Sequence, residues 1–275
     1  MGFSYKDIVV ATVRHIILFV HTFPKLIQRI YRGLLSMYQG ILPPLLGYAR
    51  LHKYNTLIYN YEAVYITEKW NMQGLWQWEL DAIGEDLSPG KDSLVLSAGG
   101  GREVIALLRK GINVDAWECN EKLRIYANTL LDENKFSCRI SPVEPNLFPV
   151  IPNGKIYDFC IIGWAAYCHI FPREFRIQLL VQCKSVVNGP VLISYLPVYS
   201  REGKSNKIWS LSRKIIMTMP WSFKNVHPDI VIDPLGVYEG INEEKVKSEA
   251  AEAGYKVKIV KDNPYPHAVL LPDRI

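Results

Sequence analysis

The chain has 275 residues, 49% of them hydrophobic and 21% charged, enough for one large α/β domain with an appendage and a full core. Its cysteines, Cys119, Cys138, Cys160, Cys168 and Cys183, are odd in number, scattered and free of C-x-x-C spacing. That excludes a disulfide framework and a clustered zinc site, and points to a reducing, cytoplasmic setting.

The net charge of +5 is unevenly placed. Lys6, Arg14, Lys25, Arg29, Arg32, Arg50 and Lys53 face only Asp7 within residues 1–61, so the remainder is close to neutral. Residues 1–60 read as a basic, amphipathic helical extension. Within 5–47 the pattern is two helices parted near Pro24. The second, about 24–39, sets Lys25, Arg29 and Arg32 on one face and Leu26, Ile27, Ile30, Leu34, Met37 and Tyr38 on the other. Pro43 and Pro44 are expected to stop it. The uncharged run from His15 to Pro24 is about half of the roughly 20 residues that span a bilayer. Nor does the N-terminus carry a signal-peptide pattern. A basic helix with an apolar face fits the interface of a membrane, here its inner face, through residues 5–40. Packing as a cap or a homodimer contact is the plainer use of the same helices.

Residues 61–90 read as connecting helices. With the residues just before them they are rich in rings: Tyr48, Tyr54, Tyr59, Tyr61, Tyr65, Trp70, Trp76 and Trp78. Such a group either fills core or lines an apolar pocket. From Asp92 the pattern alternates between periods 2 and 3.6. Strands are expected at 93–98, 112–118, 136–141, 156–163 and 190–196, and helices at 102–110, 121–133 and 172–187. An insertion over 197–240 follows, with a helix near 205–217 and a strand at 229–233. A helix at 242–253 and strands at 255–261 and 267–271, joined through Asn263–Pro266, close the chain.

The first strand runs into Ser97-Ala98-Gly99-Gly100-Gly101, and a helix starts at once with Arg102-Glu103. Glycines there let the backbone turn sharply and approach a ligand closely. The second strand delivers Glu118, an acid placed to accept hydrogen bonds from both hydroxyls of a ribose. A plain tight turn and a solvated strand-end acid are the bland alternatives.

These features resemble the class I S-adenosylmethionine-dependent methyltransferases over residues 91–275. Ser97–Gly101 stands where that family has its acidic-x-Gly-x-Gly loop, and Glu118 where its ribose-binding acid sits. Tyr157–Trp164 looks like its fourth strand, whose end faces the methyl group. The terminal helix and paired strands look like its antiparallel last strand. The run Gly101-Arg102-Glu103 resembles a bacterial subgroup acting on small molecules or lipids. Two departures stand out: the usual acid is Ser97, and the third glycine position holds Glu103. The implied fold is α/β: a Rossmann-like sheet of seven strands with an antiparallel last strand, preceded by the helical extension.

The resemblance implies S-adenosylmethionine as cofactor, held by Ser97, Ala98, Gly99, Gly100, Gly101, Glu118, Cys119, Asn120, Glu144, Gly163, Trp164 and Ala165. Aromatic faces near the sulfonium suit its positive charge. His169, a candidate general base, and Tyr167 are the expected catalytic residues; Arg173 and Tyr199 are expected to contact substrate. A lone histidine is more often structural. No metal is implied, since paired acidic ligands are missing. The insertion mixes rings with Lys and Arg, which fits an amphipathic or anionic acceptor. The expected reaction is methyl transfer to oxygen or nitrogen of a small or lipid-like acceptor, with no nucleic-acid partner. A nicotinamide-dependent oxidoreductase and a non-catalytic, membrane-associated protein of the same fold are the alternatives.

Overall fold

The computed structural model describes residues 25–152, 154–197, 203–233, 236–261 and 265–273. In chain order its helices are α1 (Lys25–Tyr61), α2 (Glu68–Asn71), α3 (Gln77–Ile83), α4 (Arg102–Arg109), α5 (Glu121–Glu133), α6 (Arg173–Val186), α7 (Gly203–Thr218) and α8 (Glu243–Glu252). The strands are β1 (Asp92–Leu96), β2 (Asn113–Glu118), β3 (Ile140–Pro142), β4 (Phe159–Ile162), β5 (Val191–Ser194), β6 (Ile230–Asp233), β7 (Gly236–Glu239), β8 (Tyr255–Val260) and β9 (His267–Pro272).

The described residues form two compact units. One takes residues 59–197 and 238–273, the other 25–58 and 203–237. Residues 203–237 of the insertion thus group with the helical extension.

In the first unit a seven-stranded sheet runs β3-β2-β1-β4-β5-β9-β8. β1 to β5 pair in parallel, and β9 is antiparallel to both β5 and β8. Helices cover both faces, so β1, β4 and β5 read as unbroken apolar runs rather than alternating ones. Val95, Phe159, Ile161 and Leu192 pack with Val104, Ile105 and Leu107 of α4 and Leu130 and Leu131 of α5. Asn120 caps α5 by accepting from Leu123 N at 3.1 Å, and Asn242 caps α8 by accepting from Lys245 N at 2.9 Å.

The strand expected at 136–141 shrinks to β3. Phe136 N still bonds Leu131 O at 3.0 Å, closing α5, and Lys135 sits at φ 61°. Only from Ile140, bracketed on both backbone groups by the Asn128 amide, does the chain pair with β2. The joint expected at Asn263–Pro266 lies partly outside the described residues, and the first N-terminal helix lies wholly outside them.

In the second unit α1 passes Pro43 and Pro44 instead of stopping there, and kinks at Gly47 (φ 68°, ψ 167°). The kink frees the Pro44 carbonyl, which accepts from Phe223 N at 2.7 Å. β6 and β7 form a two-stranded sheet; β7 was not anticipated from the sequence.

A buried ion cluster ties α6 to α8 in the first unit. Arg176, fully buried, donates to both oxygens of Glu249 at 2.7 and 2.9 Å, to Glu239 at 2.9 Å and to Ile170 O at 2.8 Å. The Tyr167 hydroxyl donates to Glu249 at 2.6 Å, and Lys245 reaches Glu239 at 3.1 Å. Every carboxylate oxygen here faces a donor, which is what makes buried charge tolerable. Gly163 serves packing of another kind: a Cβ there would lie 2.2 Å from Ser97 O.

Arg176→Met should cost about 3–5 kcal/mol in urea unfolding, because it strands buried carboxylates. Gly163→Ala should cost about 1–3 kcal/mol by forcing β1 and β4 apart. A loss under about 1 kcal/mol in either variant would contradict this account of the packing.

Candidate functional site

The sheet register sets the site. Leu96, the last residue of β1, pairs with Trp117 on one side and Ile162 on the other. Ser97, Glu118 and Gly163 therefore leave the sheet side by side, at the carboxyl edge where ligands bind in open α/β sheets. Pro142 pairs with Glu118, so Glu144 follows nearby on the same edge.

The loop holds its shape through its own backbone. Ala98 N donates to Trp117 O at 3.0 Å, and Gly101 N to Ala98 O at 3.0 Å. Ser97, Gly99 and Gly101 all have positive φ, at 57°, 56° and 97°. Space around them differs. A Cβ on Gly99 would meet nothing within 4 Å, whereas one on Gly100 would lie 2.1 Å from Tyr65 O. Gly99 thus borders open space, and Gly100 is clamped by the segment before α2.

Glu118 turns inward. Its Oε2 accepts from Gly99 N at 2.7 Å and its Oε1 from Asn120 N at 2.7 Å. Burial pushes its carboxyl above the ordinary range, against the opposing pull of the Asn120 and Gly99 N–H groups and of Cys119. Backbone N–H groups of Gly99, Cys119 and Asn120 and the Cys119 thiol all face this carboxylate. Asn120 is buried and its amide donates to Asn60 Oδ1 at 3.0 Å. Cys119 and Glu144 are exposed on the same edge.

Beyond the third glycine lies a second buried ion cluster. Arg102 donates to both oxygens of Glu79 (2.6 and 2.8 Å), to Glu103 at 2.6 Å and to Gly74 O at 3.0 Å. Its guanidinium sits 3.8 Å over the Trp76 ring. Burial works against its charge, but Glu103 and Glu79 outweigh it and hold the guanidinium above its ordinary value. Burial also raises the Glu79 carboxyl, against the pull of Arg102. Two carboxylates share one cation, so the cluster carries a net negative charge when both are ionised. Glu103 Oε1 accepts from Trp164 N at 3.4 Å, just past β4.

Trp164 belongs to a run of rings. Its centroid lies 5.0 Å from Tyr265, 5.6 Å from Trp76 and 6.2 Å from Trp70. Trp70 continues to Tyr65 (5.4 Å), Tyr65 to Tyr59 (5.6 Å) and Tyr59 to His169 (5.5 Å). Trp164 Nε1 is buried without a hydrogen-bond partner, a penalty of about 1–3 kcal/mol that a ligand acceptor would relieve. Ala165, at φ 55°, donates its N–H to Ser194 Oγ at 2.8 Å.

The remaining expectations fare unevenly. His169, half-buried, lies within the ring run, its Nε2 3.0 Å from the Tyr59 hydroxyl. Tyr167 does not fit a catalytic role: it is fully buried and its hydroxyl is committed to Glu249. Arg173 does not present a free charge to substrate, because it bonds Glu252 at 2.7 Å and Ser248 at 3.3 Å. Tyr199 lies outside the described residues. Glu79, Asn60 and Tyr265 escaped the sequence reading, and only the fold brings them to the site. Among the described residues no group of three or more His, Cys, Asp or Glu could hold a metal ion.

No protein-family model matches the chain, and neither does any curated protein. Solved structures do. The chain is similar to the CcbJ methyltransferase of Streptomyces caelestis, with 12% identity and TM-score 0.56 over 80% of this chain and 100% of that one. A Rhodobacter sphaeroides protein described provisionally as a zinc-dependent alcohol dehydrogenase gives 14% identity and TM-score 0.54 over 80% and 98%. An S-adenosylmethionine-dependent methyltransferase of Clostridium acetobutylicum gives 10% identity and TM-score 0.51 over 80% and 95%. Likeness at such identities bears on fold rather than chemistry. With the sheet order and the inserted antiparallel β9, it establishes that the chain has the class I methyltransferase fold.

Proposed function

We propose that the chain is an S-adenosylmethionine-dependent methyltransferase acting on an oxygen or nitrogen of a small or lipid-like acceptor at a membrane surface. The observation that carries the donor reading is the pairing of Glu118 with the loop. A buried carboxylate sits 2.7 Å from the N–H of Gly99, whose missing side chain leaves open space. The residues present therefore fit a ribose-bearing group.

S-adenosylmethionine supplies an electrophilic sulfonium methyl when bound. Glu118 is placed to accept from the ribose hydroxyls, with the glycine loop beneath. Trp164 and Trp76 offer ring faces to a cation. Glu103 and Glu79 add the negative charge that Ser97 cannot supply at the end of β1. His169, paired with Tyr59, is the group placed to hold or move an acceptor proton. Alignment of acceptor and donor can provide much of the rate without further chemistry from the protein.

Calorimetric titration should show micromolar binding of S-adenosylmethionine and S-adenosylhomocysteine, with both weakened at least about tenfold by Glu118→Ala, a loss of about 1.4 kcal/mol. Binding of NADH alone would replace the reading with an oxidoreductase, and binding of none with a non-catalytic protein. Affinity should be full above the raised Glu118 pKa. It should fall as pH drops through that pKa, earlier than for an ordinary carboxylate, because the protonated acid loses acceptor capacity.

Glu103→Gln gives a sharper test, since Gln can keep the Arg102 contact. It should weaken S-adenosylmethionine about tenfold yet leave S-adenosylhomocysteine, whose sulfur is neutral, within about twofold. Equal losses for both ligands would reduce Glu103 to a packing role.

A further inference from the structure

The second unit exposes apolar surface on two helices. On α1, Ile30, Leu34 and Met37 follow one another at i, i+4 and i+7, and Ile30 and Leu34 are each 56% exposed. On α7, Leu211 and Ile215 form a second stripe, 61% and 53% exposed. Trp221, just after α7, is 58% exposed. The two helices meet closely. At Gly40 a Cβ would lie 2.2 Å from Ser212 Oγ and 2.7 Å from Trp209 O, and at Gly33 one would lie 3.5 Å from the Ile208 side chain. Gly33 and Gly40 of α1 thus face α7, and both helices still present apolar stripes to solvent. Exposed patches rimmed by polar residues mark interaction sites.

The rim is cationic. α1 carries Lys25, Arg29, Arg32, Arg50 and Lys53 with no acidic residue. α7 carries Lys207, Arg213 and Lys214 and likewise no acidic residue. Arg29, Arg32, Lys207 and Lys214 are exposed. No described helix is long and apolar enough to cross a membrane.

We infer that the α1–α7 face is a docking surface for an anionic lipid bilayer, in which the apolar stripes and Trp221 sit at the headgroup level and the Lys and Arg side chains meet lipid phosphates. Amphipathic helices with Lys and Arg on the polar face and Trp or Leu on the other bind the interface in this way. Trp favours that depth. Self-pairing of two copies fits less well, because a two-fold contact sets the same cationic rim against itself. The inference rests on the membrane part of the proposed function and not on the donor.

Co-sedimentation of the full chain tests it, without cofactor, on vesicles of phosphatidylcholine alone and with phosphatidylglycerol added. Binding to the anionic vesicles should be at least about tenfold tighter and should weaken as salt is raised. Lys207→Gln with Lys214→Gln should remove about tenfold of the anionic binding. Leu211→Ser with Ile215→Ser should abolish binding to both vesicle types while the melting temperature stays unchanged, since both residues are exposed. No binding by the parent chain, or binding indifferent to both variant pairs, overturns the inference. So does a parent dimer that Leu211→Ser with Ile215→Ser converts to monomer in sedimentation velocity with no effect on vesicles. Calorimetry without vesicles reads the donor site separately, so failure of one reading leaves the other standing.

Discussion

Parallel pairing of β1 with β2 and β4 in one register is the constraint from which the site follows. Because Leu96 faces both Trp117 and Ile162, three chain exits open at one level. A slip of one residue would turn every side chain of a strand to the opposite face. The apolar runs of these strands leave no such freedom, since helices bury both faces. Gly163 then lets β4 leave the sheet against the Ser97 carbonyl, and Glu118 turns back onto Gly99. The site is rigid for reasons lying in the sheet beneath it.

Two buried guanidinium clusters extend that rigidity in different ways. Arg176 is matched by two carboxylates and a lysine, so its charges balance and its effect is to lock α6 to α8. Arg102 is shared by Glu79 and Glu103, with no second cation bridging to either carboxylate among the described residues, and it stacks on Trp76 of the aromatic run. A balanced cluster contributes to packing alone. An unbalanced one also sets up a field, and in a low-dielectric interior that field reaches several ångströms.

What the sequence disclosed was local. The glycine loop, Glu118 at its offset and the alternation of strand and helix are written in neighbouring residues. What it concealed depended on distance along the chain. Glu79 and Arg102 are 23 residues apart, with nothing between them to announce the contact. Tyr265 reaches Trp164 only because β9 inserts beside β5. Tyr167 has the residue type of an acid or base, yet a buried carboxylate from α8 has claimed its hydroxyl. Pro43 and Pro44 are sound helix breakers by local rule. Here the chain bends at Gly47 and a backbone donor far along the sequence takes up the freed Pro44 carbonyl. Exposure of the α1 stripe was equally invisible, because periodicity marks an apolar face without saying what covers it.

The departure of the loop from the pattern of the methyltransferases it resembles has a physical counterpart in α4. At the end of β1, Ser97 holds a left-handed backbone at φ 57° and carries no charge. Moving the carboxylate to Glu103 places it in the first turn of α4, where the unpaired N–H groups favour negative charge. Arg102 beside it then screens part of the burial penalty, and Glu79 fixes Arg102 through two hydrogen bonds. The acid keeps contact with the backbone past β4 through Trp164 N. Charge missing from one strand end thus reappears within the same carboxyl edge, held by a helix terminus instead of a strand. On that geometry, the carboxyl edge keeps a carboxylate beside the loop although β1 ends without one.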